Sequence, residues 1–252
     1  MFYPVMVCTF AGLATALGAV IVLAPGGISE KGLSVSQGFA AGVMLAVSAL
    51  DLLPESYSVY YTYMPALAAF KAVASLFVIG WIIGNLISSV AVPGGIYTEP
   101  DTALSVRRIA IITMAVMVLH NLPEGMLTIF TSSADIVDGL RMAVAVALHN
   151  IPEGMAIASP VLYTTHSSAK AFLSALAAGM AEPLGGILAY TLLKGIVTPS
   201  FLNGFMPVVA GVMCRAAVCE LIPSAVKLSN IKHTFYGIIS GITVMAIGLF
   251  LF

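Results

Sequence analysis

Apolar residues run almost unbroken through eight stretches of the chain, roughly 3–24, 33–56, 65–91, 107–131, 138–163, 168–195, 202–226 and 233–252, and short polar or Gly/Pro-rich breaks separate them. Each is near or above the ~20 residues that a helix needs to cross a bilayer. The pattern predicts an all-α polytopic membrane protein of eight transmembrane helices. The longest break, Ala91 to Val106 (AVPGGIYTEPDTALSV), has no histidine and is too short for a second domain, so 1–252 reads as one transmembrane domain. The first stretch has no Lys or Arg before Lys31 and exceeds the usual ~7–15-residue core of a signal peptide. It is therefore read as a first helix.

The polar positions inside these stretches carry the chemistry. His120-Asn121-Leu122-Pro123-Glu124-Gly125 lies in the middle of the fourth and His149-Asn150-Ile151-Pro152-Glu153-Gly154 in the middle of the fifth. At about 100° per residue, a His and a Glu four positions apart lie roughly 40° apart on one helix face, with the Asn inside the same arc. Pro123 and Pro152 lack an N–H and release the carbonyls of Leu119 and Leu148. A packing kink alone would explain a proline, but not the His and Glu beside it. The sixth stretch adds Ala181-Glu182-Pro183-Leu184-Gly185-Gly186, again a carboxylate next to a proline.

Two other stretches resemble each other. Gly42 to Pro54 reads GVMLAVSALDLLP and Gly211 to Pro223 reads GVMCRAAVCELIP, with the acid and the proline in the same register. The second and seventh helices are separated by an odd number of crossings, so the duplication predicts an inverted 3+2+3 repeat about an axis in the membrane plane. Such repeats, with Pro- or Gly-interrupted helices, are a feature of secondary transporters whose site lies near the midplane; some channels share them.

Composition narrows the chemistry further. The chain is 60% hydrophobic and 8% charged, against about 25% charged for soluble domains. A net charge of -1 provides no basic patch for phosphates, so no nucleic-acid partner is expected. Cys8, Cys214 and Cys219 all fall in apolar stretches, which argues against a disulfide framework. Lys31, Arg107, Arg108, Lys170, Lys227 and Lys232 would lie inside, against Lys71, Arg141 and Lys194 outside, if both termini are outside.

Three glutamates at helix centres cost about 2.5–3.5 kcal/mol each, roughly 8–10 kcal/mol together. Arg215, the only basic residue deep in a helix, cannot offset them all. Protonation could neutralise the rest, but leaves the duplicated His four positions before each Glu unexplained. A divalent cation accounts for both. Imidazole with carboxylate suits zinc and similar first-row metals, whereas all-oxygen sites suit magnesium and calcium; Zn2+ is the first choice as transported substrate, with Fe2+, Mn2+ and Cd2+ open. Coordination could be exchanged during passage, unlike a closed structural site. Asp51 and Glu55 would form an outer funnel and Glu220 an inner exit. Their alternatives are interfacial solvation for the first two and an ion pair with Arg215 for Glu220. His166 and His233 fall at loops or helix starts and read as surface residues.

Together, the paired HNxPEG motifs, the EPLGG helix, Gly12 to Gly18 (GLATALG) and Glu220 to Pro223 (ELIP) resemble the ZIP (Zrt/Irt-like) family of divalent metal transporters across the whole chain. The short loop without His tracts is similar to its compact bacterial-type, zinc-uptake or GufA-like branches. The resemblance implies a cell-membrane protein that moves metal into the cytoplasm, by an elevator-like or rocking motion of one helix bundle against another. It implies a binuclear centre, with His120, Glu124, His149 and Glu153 as the primary site. Asn121, Glu124, Asn150, Glu153 and Glu182 would form the second, the glutamates bridging. Some members carry Asp where this chain has Asn150, which removes one negative charge from the second site. Homodimers, often formed by members, are implied by the resemblance alone.

The rival class is an intramembrane metal-dependent hydrolase, which would need an open coordination position and a general base. The chain has no HExxH, and a symmetric duplication fits passage better than a one-sided active site. Ferritin-like centres use Glu-x-x-His instead of His-x-x-x-Glu. The absence of GxxxxGK[ST] argues only against built-in ATP drive.

Overall fold

Each predicted stretch forms a helix in the computed structural model, which describes residues 2–23, 28–91, 102–192, 196 and 198–251. In chain order these are α1 (Phe2–Val22), α2 (Glu30–Tyr61), α3 (Ala66–Ala91), α4 (Thr102–Ala134) and α5 (Ile136–Thr165). Then follow α6 (Ser168–Gly179 and Ala181–Leu192), α7 (Pro199–Ala216, Ala217–Leu221 and Ile222–Leu228) and α8 (Ile231–Leu251). Most of the predicted Ala91–Val106 connection, together with Lys194, lies outside the described residues.

Local chemistry sets where the helices begin. Ser29, Asp135, Ser167 and Thr198 each accept a hydrogen bond from a first-turn N–H of α2, α5, α6 and α7, satisfying donors that a helix start leaves open. His166 ends α5 in the left-handed region, at φ 50. α2 runs on to Tyr61 and α4 starts at Thr102, several residues beyond the apolar runs. Apolarity marks the bilayer, and a helix continues past it while its backbone bonds hold.

Among the described residues, seven helices are long and apolar enough to cross a membrane. The other, α5, has 30 residues but carries Asp138, Arg141, His149, Asn150 and Glu153. The protein is a multi-pass helical membrane protein. The apolar window is 72% buried in α2 and α7 but only 17% in α3 and 22% in α8, so α3 and α8 form lipid-facing walls. α1, α4, α5 and α6 pack against one another at the centre, α2 against α8, and α7 against α3.

Consecutive helices alternate in direction along the chain. Glu55 near the end of α2 accepts from Asn203 near the start of α7, whereas Ser88 near the end of α3 donates to Glu220 near the end of α7. α2 and α7 are therefore antiparallel, and α3 and α7 parallel.

Close backbone contacts recur in pairs. Gly42 of α2 lies against the carbonyl of Ile238 in α8, and Gly211 of α7 against that of Phe77 in α3. Gly241 of α8 meets the carbonyl of Phe39 in α2, and Gly80 of α3 that of Val208 in α7. At the centre, Gly154 meets the carbonyl of Thr15 and Gly125 that of Glu182. Exchanging α1 with α6, α2 with α7, α3 with α8 and α4 with α5 turns each contact into its partner. Glycine is needed at these points because a Cβ would collide with backbone, which shifts less readily than a side chain.

α2 and α7 also share a one-residue widening, a π-turn at Ser48–Leu52 and another at Ala217–Leu221. Each is followed by a proline, Pro54 or Pro223, at the start of the next helical segment. Asp51 and Glu220 sit in equivalent places within the two turns.

Candidate metal centre

α4 and α5 cross antiparallel at their midpoints, which brings His120 opposite Glu153 and Glu124 opposite His149. His149 Nε2 is 2.6 Å from Glu124 Oε1. His120 Nε2 is 3.3 Å from Glu124 Oε2 and 3.5 Å from Glu153 Oε1. One ligand atom from each of His120, Glu124 and His149 lies within 4.8 Å of the others. A tetrahedral zinc ion with bonds of about 2.0–2.1 Å holds its ligand atoms roughly 3.3 Å apart. The two His120 distances already match that edge; the His149–Glu124 hydrogen bond would have to open slightly.

All four side chains are buried. Both ring nitrogens of His120, Oε2 of Glu124 and both carboxylate oxygens of Glu153 have no hydrogen-bond partner. Buried polar atoms are nearly always paired. A cluster of unpaired acceptor-capable atoms around one point has the donor set and spacing for a cation.

The two asparagines are held from outside the cluster. Asn121 Nδ2 donates to the carbonyl of Ala178 in α6, at 3.0 Å, and Asn150 Nδ2 to that of Ala11 in α1, also at 3.0 Å. These bonds fix which end of each amide is oxygen, and both Oδ1 atoms are left unpartnered. Asn150 Nδ2 also bonds Glu182 Oε1. Glu182 itself lies in the first turn of the second half of α6, where Met180 interrupts the helix. The N–H groups that a helix start leaves without an intrahelical partner favour an anion.

A cavity of about 290 Å3 leads to this cluster, its walls including Asp51, Glu55, Arg141, Met206 and Met245 and its lining reaching His120, Glu124 and His149. Asp51 and Glu55 thus lie on the approach to the cluster. Glu220 does not: it is buried at the opposite end of the bundle and ion-paired with Arg215. His166 is exposed, and His233 is partly buried with Nδ1 3.0 Å from Ser229 Oγ. None of the three cysteines is in a disulfide.

Sequence reasoning overlooked Thr15. It is buried, its hydroxyl has no partner, and its carbonyl lies against Gly154 as that of Glu182 lies against Gly125. The signal was present: GLATALG at 12–18 and GMAEPLG at 179–185 align Gly, Ala, Leu and Gly, with Thr15 opposite Glu182. Met206, Met245 and Arg141 were also missed, because a cavity wall of ordinary residues has no motif.

A family model described as ZIP Zinc transporter matches residues 97–248. The chain is 35% identical over 261 residues to the zinc transporter ZupT of Chlorobium phaeovibrioides, covering 99% of this chain and 98% of that protein. It is 36% identical over 251 residues to the zinc transporter ZupT of Escherichia fergusonii, covering 99% and 96%. The zinc transporter ZupT of Salmonella newport is 35% identical, over 99% and 96%.

Proposed function

The chain belongs to the ZIP zinc transporter family, and from that premise we propose that it carries divalent transition-metal ions, zinc foremost, across the cell membrane into the cytoplasm. The observation that carries this reading is the buried group His120, Glu124 and His149, whose ligand atoms lie within 4.8 Å of one another at the inner reach of a cavity that Asp51 and Glu55 also line. Family membership and the length match to zinc transporters favour carriage over hydrolysis.

His120, Glu124, His149 and Glu153 bind the passing ion. Their unpartnered atoms and near-tetrahedral spacing support that assignment. Asn121, Asn150 and Glu182 form an adjoining layer that takes a second ion through Oδ1 atoms and the Glu182 carboxylate, with Glu124 and Glu153 bridging. Neutral Asn150, which already donates to Glu182, makes this position weaker than the first. Fe2+, Mn2+ and Cd2+ satisfy the same donors and compete with zinc.

Asp51 and Glu55 attract the ion into the cavity, where their charge replaces part of its hydration. The inverted 3+2+3 repeat is supported by the exchangeable contacts of α1 with α6, α2 with α7, α3 with α8 and α4 with α5. It supplies two equivalent half-paths meeting at one site, as alternating access requires.

The test is zinc entry into liposomes that hold the purified protein and a zinc-sensitive dye. Saturable influx above that of empty liposomes is expected. Influx equal to the empty control, from protein that is monodisperse in detergent, would remove the transport reading.

A further inference from the structure

The cavity beside Asp51 has a sealed counterpart beside Glu220. The contact exchange that pairs Gly42 with Gly211 and Gly80 with Gly241 also maps the cavity wall residue by residue. Asp51, Leu52 and Glu55 map to Glu220, Leu221 and Ser224. Met206 maps to Gln37, Met245 to Gly84 and Leu249 to Ser88.

All of the first set line the open cavity. Glu220, Leu221, Ser224, Gln37 and Ser88 of the second are buried.

Arg215 packs among these residues. Its side chain lies across Gly84, where a Cβ would meet Arg215 Cδ at 3.3 Å and Cβ at 3.4 Å. Its Nε donates to Asn85 Oδ1 at 2.8 Å, and its guanidinium pairs with Glu220. Ser88 Oγ donates to the same Glu220 oxygen at 2.6 Å.

The polar groups around this plug are not satisfied by it. Neither Oε1 nor Nε2 of Gln37 has a hydrogen-bond partner, and neither does Glu220 Oε2. An amide and a carboxylate oxygen left unpaired in a membrane interior are costly. They are expected where water or a hydrated ion enters in another state.

We propose, resting on the transport reading above, that Gln37, Ser88, Ser224 and Glu220 line a second half-path for a hydrated divalent cation, and that Arg215 plugs it in the state seen here. The guanidinium occupies Glu220 as a tethered cation. When the half-path opens, the passing metal ion takes its place on the carboxylate. Because arginine stays charged, it holds Glu220 until it is displaced, and the carboxylate is closed to a metal ion for as long as the pair lasts.

The test uses Ser224→Cys in a background where Cys8, Cys214 and Cys219 are serine, reconstituted in liposomes and exposed to a membrane-impermeant thiol reagent on one side at a time. With Arg215 present, labelling from the Glu220 side is slow. Arg215→Gln should raise its rate about tenfold, by shifting population toward the open half-path. Arg215→Gln with Glu220→Gln guards against damage from an unpaired buried carboxylate, and should do the same.

Rates within twofold of the parent in both variants would overturn the plug. So would an equal increase at a cysteine placed at Glu55 on the other side, since that marks general loosening. Labelling is scored without zinc flux, so a chain that carries no zinc fails the transport reading and leaves the plug to be judged on accessibility.

Discussion

The two hexapeptides differ only at Leu122 and Ile151, yet their side chains are partnered differently. His149 is hydrogen-bonded to Glu124, while His120, with Nε2 3.3 Å from Glu124 and 3.5 Å from Glu153, makes no hydrogen bond through either ring nitrogen. Asn121 bonds one backbone carbonyl; Asn150 bonds the corresponding carbonyl and, in addition, Glu182. The cause lies in the helices packed behind them. α6 presents Glu182 where α1 presents Thr15. One side of the cluster thereby gains a carboxylate and the other a hydroxyl, so an ion entering a nearly symmetric set of ligands meets an unsymmetric field. The motif supplies the donors; its neighbours decide which of them are free.

Removing a donor from either copy should have the largest effect. His120→Ala and His149→Ala are expected to lower zinc flux by more than the roughly 100-fold that loss of an outer hydrogen-bonding partner costs a metal site. Elution as a single peak in detergent checks that the bundle survives. If one variant keeps more than about a tenth of parent flux, the copies are not equal contributors and the ion leans on the other imidazole.

Next comes the residue that makes the copies unequal. Glu182→Gln keeps the shape of the side chain and removes its charge. Zinc flux should fall about 10–100-fold, the range for groups that orient and polarise ligands. A flux indistinguishable from the parent would mean that the adjoining layer is packing, and the proposed second position would go with it.

Much of this was legible before any coordinates. Eight apolar runs placed eight helices, and helix periodicity put His120 and Glu124 on one face, where His149 meets them. Asp51 and Glu55 face the cavity that leads to them. The π-turns were not legible, because one inserted residue leaves the hydrophobic period almost unchanged; Pro54 and Pro223 were their only trace. Nor was the anchoring of Asn150 to Ala11, since a backbone carbonyl has no letter in a sequence. The pairing of Arg215 with Glu220 was visible only as an alternative to an exit role. Spacing along one helix cannot say whether two charges meet or face different neighbours.

A subtler change converts one copy toward the other in charge. Asn150→Asp sets a carboxylate oxygen against the Ala11 carbonyl and beside Glu182, where an amide N–H now donates. Without metal this should lower the melting midpoint. With saturating zinc the new ligand should restore it, so the zinc-induced rise is larger than in the parent. Of the two kinds of contact that Asn150 makes, Asn121→Asp meets only the carbonyl, that of Ala178, and should show a smaller metal dependence. Equal zinc-induced rises in both variants would contradict the asymmetry between the copies.

The smallest effect is expected at Thr15, and it tests the comparison from its weaker side. Thr15 is fully buried and its hydroxyl has no partner. If that hydroxyl never meets the ion, it is only a desolvated polar group, with a cost of about 1–3 kcal/mol. Thr15→Val replaces it with a methyl of similar size, so the variant should melt at or above the parent and lose less than about threefold in flux, under 1 kcal/mol by the relation between rate and barrier. A loss comparable with that of Glu182→Gln would mean the hydroxyl touches the ion in transit. α1 and α6 would then contribute a ligand each, and the field at the cluster would be set by the charge of those ligands instead of by the absence of one.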